Sequence, residues 1–135
     1  MRSSLILLGV LGLFGLTGCM NANAVSVNTF PSKSPTKVFK MAQIAVSERM
    51  RDPESTRFKS EFMAYDLSNG NKVVCGTVNA KNAMGGYVGY QPFYVRLLSS
   101  GTVMRFYLSS QTGSFEYKLI TNMCNNVRTG TVKIS

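Results

Sequence analysis

The sequence predicts an α+β domain in which an N-terminal helix packs on an antiparallel sheet of about four strands, followed by a short C-terminal helix. Three observations support this fold class. Apolar residues recur at helical spacing between residues 36 and 51, and apolar and polar residues alternate in several later runs. Turn-forming residues separate those runs at Ser68-Asn69-Gly70-Asn71 and Ser99-Ser100-Gly101. An amphipathic helix must cover its apolar stripe, and the sheet that follows offers the surface.

The first helix is predicted over residues 36–51. Ser34 and Pro35 are typical of an N-cap and a first-turn proline. Asp52-Pro53 then ends the helix, because the residue before a proline disfavours helical geometry. One side of this helix carries Val38, Met41, Ala42, Ala45 and Arg49, with Phe39, Val46 and Met50 beside them, which gives a wide and mainly apolar stripe.

Four strands are predicted, at residues 57–66, 72–78, 87–98 and 102–109. The first alternates between apolar and polar residues, as a half-buried strand does. Asn69-Gly70 favours a tight hairpin after it, since these residues tolerate the positive φ angles that such turns need.

The segment from Phe115 to Cys124 is ambiguous. Phe115, Leu119 and Met123 are four residues apart, which favours a helix, whereas the aromatic and β-branched content would also suit a strand. We favour a short helix.

The N-terminal segment resembles the signal peptide of a bacterial lipoprotein. Arg2 precedes an apolar run from Leu5 to Leu16, which has the length of a secretory signal and is too short to span a bilayer. The string Leu16-Thr17-Gly18-Cys19 resembles a lipobox. The resemblance implies cleavage before Cys19 and lipidation of its thiol and amine, with acyl chains such as palmitate. The alternative is an ordinary signal peptide that contains a cysteine.

The residue after the lipidated cysteine bears on location. In lipoproteins an aspartate there tends to keep the protein in the inner membrane, and Met20 occupies that place here. The resemblance therefore implies a protein anchored in the outer membrane by its lipid and facing the periplasm, with no need of a transmembrane helix.

Four segments follow from these features. Residues 1–18 form the signal peptide. Residues 19–35, rich in Asn, Ser, Ala, Lys and Pro, predict a flexible tether. Residues 36–124 form the α+β domain. Residues 125–135 form either an edge strand or a frayed tail.

Two cysteines remain once Cys19 is lipidated. An even remainder in an oxidising compartment favours one disulfide, between Cys75 and Cys124, although a pair of free thiols is the alternative. The bridge would close a loop of roughly 50 residues and stabilise the domain by about 3–4 kcal/mol in the chain-entropy model.

The chain is basic, with 15 Lys and Arg against 6 Asp and Glu and a net charge of +9. The basic residues are spread along the chain and form no run of five. Such a protein at a bilayer surface attracts anionic headgroups, lipopolysaccharide phosphates or acidic proteins. A solvated basic surface with no dedicated ligand is the alternative. Export argues against nucleic acid as a partner.

The stretch Val74–Gly89 carries the motif Val-Cys-Gly-x-Val-Asn-x-Lys-Asn-x-x-Gly-Gly-Tyr-x-Gly. It resembles a family of small exported or lipid-anchored bacterial proteins, often of phage or mobile-element character. Asp52-Pro53-Glu54-Ser55-Thr56-Arg57-Phe58 matches a segment that commonly precedes the motif, and Cys124 stands where members have a second cysteine. The usual tryptophan is missing and the tail after Cys124 is longer. The resemblance supports the fold and the disulfide and implies no activity.

Residues Asn79, Lys81, Asn82 and Tyr87 within this motif form a candidate binding loop. Their structural interpretation is a demanding turn, in which the asparagines bond to their own loop and the glycines supply positive φ. The functional interpretation is a polar cluster that binds an anionic or carbohydrate-like group, with glycine N–H groups as extra donors. We favour the turn. No Gly-Lys-Ser/Thr follows the glycines, so the loop is not a phosphate loop.

Catalysis is disfavoured by the residues that the chain contains. It has no histidine, which is the commonest general base and a common metal ligand. Asp52 and Glu54 are the only acids close together in sequence, and nearby arginines explain them as charge pairs. No metal-ligand spacing is present. We therefore expect no enzyme, no metal and no cofactor.

The sequence thus predicts a non-catalytic, lipid-anchored envelope protein that works by binding. We expect an accessory or exclusion factor that contacts another envelope protein; the exclusion role is implied by the mobile-element character of the family. The alternative is a binding module for anionic polymers, lipopolysaccharide or peptidoglycan, through the basic surface and the Asn79–Asn82 loop. Inhibition of a cell-wall hydrolase is disfavoured, because many lysozymes are basic and would be repelled.

Overall fold

A curled antiparallel sheet of seven strands dominates residues 24–134, the part of the chain that the computed structural model describes. One helix precedes most of the sheet and one lies near the C-terminal end. The elements are β1 (Val25–Pro31), α1 (Pro35–Ser47), β2 (Arg57–Phe58), β3 (Met63–Leu67), β4 (Lys72–Asn79), β5 (Gln91–Leu97), β6 (Val103–Leu108), α2 (Phe115–Arg128) and β7 (Thr131–Ile134). The strand order in the sheet is β6-β5-β4-β3-β1-β7, and the short β2 pairs with the end of β4.

The predicted fold, a helix on a sheet of about four strands, is wrong. Most of the domain is sheet, and two of its strands come from the predicted ends of the domain. β1 lies in the segment that we predicted to be a tether. β7 lies in residues 125–135, for which an edge strand was one of the two alternatives. The two pair with each other from Val25 opposite Ile134 to Asn28 opposite Thr131. The proposed signal peptide, the lipidation site Cys19 and the first residues of the tether lie outside the described residues.

Helix α1 covers one face of the sheet, as its apolar stripe predicts. Because successive residues of a strand point to opposite faces, Val74 and Val78 of β4 share one face with Phe93 and Val95 of β5. These side chains pack against α1 in a single core. The helix contributes the buried residues Val38, Phe39, Ala42, Ala45 and Val46.

Helix α2 covers the opposite, concave face. Val73 and Cys75 of β4 and Tyr94 of β5 point to this side and pack with Ile120 and Val127 of α2. Thr29 donates a hydrogen bond from its hydroxyl to the carbonyl oxygen of Val127, at 2.6 Å, so β1 also holds this helix. The sheet therefore lies between two helices.

The predicted disulfide is confirmed. Cys75 in the middle of β4 is bonded to Cys124 of α2, with 6.2 Å between their Cα atoms. Cys75 is buried, so the bridge fixes the helix at the centre of the concave face.

Several predicted boundaries move. The first helix ends at Ser47, and Pro53–Ser55 forms a separate 3₁₀ turn. The ambiguous segment is helical, as favoured, but α2 continues past Cys124 to Arg128. Its start is capped by the hydroxyl of Ser114, which accepts a hydrogen bond from the N–H of Tyr117. The third predicted strand begins at Gln91 rather than residue 87.

The predicted Asn-Gly turn joins β3 to β4. Gly70 has a φ of +88°, which an L side chain rarely adopts. Its N–H donates to the carbonyl oxygen of Leu67, and the N–H of Leu67 donates to that of Asn71.

Asp66 ties the start of α1 to this hairpin and gives a pH-dependent contribution to stability. Burial raises the pKa of its carboxyl. The pKa is lowered by more than this through hydrogen bonds from Lys72 (2.8 Å), the N–H of Lys33 and the hydroxyl of Ser32, together with the charge of Lys72. The pKa of Asp66 therefore lies below its ordinary value. The ionised form stabilises the fold above the unfolded pKa, about 3.9, and this contribution disappears as the pH falls through the folded pKa.

We expect Asp66→Asn to lower the free energy of unfolding at pH 7 by less than about 1 kcal/mol, because the ion pair is partly exposed. As the pH falls through the folded pKa of Asp66, which lies below its ordinary value, the variant and the original chain should converge. Urea unfolding at pH 7 and at a series of acidic pH values measures this, with Glu61→Gln on an exposed acid as the control. A difference that stays equal across the whole series would contradict the role of the charge.

Candidate functional site

The candidate binding loop connects β4 to β5 and folds as a small hairpin. Lys81 and Tyr87 form an isolated antiparallel bridge. Within it, the N–H of Asn82 donates to the carbonyl oxygen of Gly86 at 2.8 Å, and the N–H of Gly85 donates to that of Asn82 at 3.0 Å. Gly85 and Gly89 have φ angles of +81° and +98°, so these two positions need glycine.

The two asparagine side chains hold this loop together. Oδ1 of Asn82 accepts hydrogen bonds from the N–H groups of Met84 and Gly86, at 3.0 and 3.1 Å. Oδ1 of Asn79 accepts one from the N–H of Gly89 at 3.0 Å. These bonds are the Asx-type contacts of a structural turn, and they occupy the glycine N–H groups that an anion would otherwise use.

Lys81 and Tyr87 attach the loop to the turn before β2. The N–H of Lys81 donates to the hydroxyl oxygen of Ser55 at 2.9 Å, and the hydroxyl of Tyr87 donates to the carbonyl oxygen of Ser55 at 3.1 Å. Nζ of Lys81 lies 5.7 Å from the centroid of the Tyr87 ring. The buried Ser55 thus links the two sequence motifs in space.

What the loop exposes is mainly apolar and aromatic. Met84 is 94% exposed, and Tyr87, Val88 and Tyr90 are each about half exposed. Nζ of Lys59 lies 5.0 Å from the centroid of the Tyr90 ring. We call this patch the distal loop surface; it comprises Met84, Tyr87, Val88 and Tyr90, with Lys59 and Lys81 at its rim.

The distal loop surface lies at the far end of the sheet from the start of β1. Thr29 of β1 pairs with Leu67, the last residue of β3. The part of β1 before Thr29 therefore extends past the β3–β4 turn, and Val25 lies beyond that turn. β4 runs from that turn in the opposite direction to Asn79, where the loop begins. At ~3.3 Å per residue the two points are separated by about 40 Å along the strands, and the curl of the sheet shortens the straight-line distance.

A second site, which the sequence analysis missed, lies on the concave face. The curl brings the edge strands β6 and β7 to either side of α2, and a pocket of about 400 Å³ opens between them. We call it the edge pocket. Its lining residues are Tyr94, Arg96, Arg105, Tyr107, Met123, Asn126, Thr131, Val132 and Lys133.

Arg96 is the unusual residue of the edge pocket. It is only 6% exposed, and its Nε finds no hydrogen-bond acceptor among the described residues. The hydroxyl of Tyr94, on the same face of β5, is also buried without a partner there. Burial raises the pKa of Tyr94, and the positive charges of Arg96 and Arg105 partly oppose this. The hydroxyl is therefore neutral at pH 7 and able to donate a hydrogen bond.

A sequence signal for this pocket exists. Arg96 interrupts the apolar strand 93–97, between Val95 and Leu97, on the face that also carries Tyr94. A charged residue in a buried strand is uncommon unless it has a partner. The pocket itself cannot be foreseen, since β7 lies far along the chain.

Neither helix of the described part of the chain is both long and apolar enough to cross a membrane. Within residues 24–134, no three His, Cys, Asp or Glu side chains are grouped so that they could hold a metal ion. In comparisons with known proteins, the chain matches no family model, no curated protein and no solved structure.

Proposed function

We propose that the protein is a lipid-anchored, non-catalytic binding protein of the bacterial envelope, and that it acts by contacting another envelope protein through the distal loop surface. The observation that carries this proposal is the exposure of Met84, Tyr87, Val88 and Tyr90 together at one end of the sheet. An accessory subunit or an exclusion factor would work through such a contact.

The chemistry of the distal loop surface suits a protein partner. Tyrosine and methionine are enriched in the cores of protein interfaces. The loop backbone is fixed by the bonds to Asn79 and Asn82, so little ordering entropy is lost on binding. Lys59 and Lys81 at the rim favour a partner whose own rim is acidic.

The distance between the loop and the proposed lipid anchor also suits contact with another envelope protein. β1 begins six residues after Cys19, and an extended chain spans at most about 3.5 Å per residue. Lipidation at Cys19 would therefore hold the start of the sheet within about 20 Å of the membrane. The loop lies at the other end of the strands, where it would be presented away from the lipid.

Binding of an anionic polymer through the same loop is a second candidate. Lys59 and Lys81 lie over tyrosine rings at the exposed end of the domain, and the net charge of +9 would draw lipopolysaccharide or peptidoglycan. The loop backbone counts against this candidate, since the N–H groups of Gly86 and Gly89 already donate to the asparagine side chains.

Photo-crosslinking in intact cells tests the proposal. A photoreactive residue replaces Tyr90, and we compare the chain with variants carrying Met84→Asp or, as a matched control, Ile44→Asp. Ile44 is 64% exposed on α1, away from the loop. We expect one discrete protein adduct, reduced at least about tenfold by Met84→Asp, because a charge in an interface core is strongly unfavourable, and unchanged by Ile44→Asp.

The competing outcomes are distinct. An adduct that a peptidoglycan hydrolase digests, or that carries lipopolysaccharide, would support the second candidate. An adduct that both aspartate variants weaken equally, or no adduct at all, would contradict both.

A further inference from the structure

The edge pocket holds a buried positive charge for which the described chain supplies no counter-charge. The guanidinium of Arg96 carries a positive charge. Burying an isolated cation is strongly unfavourable unless it is paired. None of the described residues that line the pocket is acidic. The fold thus maintains an unfavourable arrangement at one defined place.

Arg105 lies directly opposite Arg96 on β6, so the two guanidinium groups are on the same face of the sheet, and both residues line the pocket. The positive charge on this face favours an anionic ligand over a neutral one.

Donors for an anion are already in place. The guanidinium of Arg96 has a planar set of N–H groups that matches carboxylate and phosphate oxygens. The Tyr94 hydroxyl has no hydrogen-bond partner among the described residues, and Tyr94 and Tyr107 are also a cross-strand pair, with ring centroids 6.1 Å apart. One bound anionic group would accept hydrogen bonds from both Nε of Arg96 and the Tyr94 hydroxyl.

The rest of the pocket fits an organic body rather than a bare ion. The rings of Tyr94 and Tyr107 and the side chains of Met123 and Val132 supply apolar walls. A volume of about 400 Å³ lies within the ~300–1,000 Å³ of ordinary small-molecule sites.

We propose that the edge pocket binds a small organic anion, with its carboxylate or phosphate group against Arg96 and its apolar part against Tyr107 and Met123. This site is separate from the distal loop surface and does not depend on the function proposed for that loop. Because β6 and β7 both line the pocket, a bound anion also links the two edges of the sheet.

The test is an NMR titration of the ¹⁵N-labelled full chain in a neutral detergent at constant ionic strength. The probes are benzoate, phenyl phosphate and, as the neutral control, benzamide. We expect saturable shifts in residues 94–96, 105–107 and 131–133 with at least one of the two anions and none with benzamide. The stronger of the two anions identifies the group that the pocket prefers.

Variants decide whether Arg96 is responsible. Arg96→Gln should weaken binding of the preferred anion by about 10- to 100-fold, as expected for losing a charge-assisted hydrogen bond. Lys118→Gln, an exposed cation on α2, should leave the affinity unchanged. Tyr94→Phe, which removes the buried hydroxyl, is a second variant, with a smaller loss of about threefold or more, in case Arg96→Gln does not fold.

Three results would overturn the proposal. They are shifts that do not saturate, equal binding of benzamide, and affinities that Lys118→Gln lowers as much as the pocket variants do. The thermal midpoint gives an independent readout: the preferred anion should raise it in the original chain by mass action and leave that of Arg96→Gln unchanged.

Discussion

Loss of the Cys75–Cys124 disulfide is expected to lower the free energy of unfolding by about 3–4 kcal/mol, the value for closing a loop of this length in the chain-entropy model. The two cysteines are 49 residues apart in the sequence. The corresponding fall in the thermal midpoint is roughly 10–20 °C for a domain of this size. The bridge is also the covalent link between α2 and the middle of the sheet, so its loss should loosen α2 in particular.

The measurement compares the oxidised chain with Cys75→Ala/Cys124→Ala by urea and thermal unfolding. Dithiothreitol should destabilise the original chain and have no effect on the double variant, which serves as its control. Hydrogen exchange should show that amides of α2 lose more protection than those of α1, because α2 has fewer buried residues. A change in the midpoint below about 3 °C would mean that packing alone fixes α2.

The elements that the sequence predicts well are those with a strong local signal. Helix α1 has a wide apolar stripe and a proline at its start, and the structure buries five residues of that stripe, while Arg49 and Met50 lie beyond the end of the helix. The hairpin between β3 and β4 follows from Asn69-Gly70, and the long apolar strands β4 and β5 from their composition. In each case the pattern lies within about 15 residues, which is the range over which periodicity is informative.

Strand β1, which was missed, and strand β7, which was one of two alternatives for residues 125–135, depend on contacts across the whole chain. β1 buries only two of its seven residues, and β7 buries one of four. Each is stable because it pairs with the other, Val27 opposite Val132, from the two ends of the domain. No local pattern records such a partner, so the asparagine, serine and proline content of 20–35 led to the prediction of a tether.

The candidate site, like the fold, was predicted where its contacts are local and missed where they are long-range. Asn79, Asn82 and the glycines predict a turn from local chemistry, and the structure shows the bonds of that turn. The attachment of Lys81 and Tyr87 to Ser55 is long-range and was not foreseen. The edge pocket exists only because the sheet curls, which places β6 and β7 beside one helix.

The side chain of Phe93 should have the largest effect on stability of any single truncation in the α1 core. Phe93 is fully buried, and its ring lies edge-on to that of Phe58, with 6.0 Å between centroids. It is directly opposite Gly76 on β4, and a Cβ placed on Gly76 would be 3.0 Å from the ring. The aromatic ring thus fills the space that the glycine leaves open.

We expect Phe93→Ala to lower the free energy of unfolding by about 3–5 kcal/mol, the sum of lost burial and a cavity. Phe115→Ala removes the same side chain where it is 75% exposed and should cost less than about 0.5 kcal/mol. Urea unfolding of both variants measures the difference. Similar losses at the two positions would contradict the packing described for this core.

A double-mutant cycle then tests the contact between Phe93 and Gly76 itself. Gly76→Val alone should destabilise by about 1–3 kcal/mol, because its branches overlap the Phe93 ring. In the Phe93→Ala background the same substitution enters an empty space, so it should be neutral or stabilising. The two changes should therefore be non-additive by at least about 1 kcal/mol. Additive losses would mean that strain in the β4 backbone, rather than the ring opposite it, is the reason for glycine at position 76.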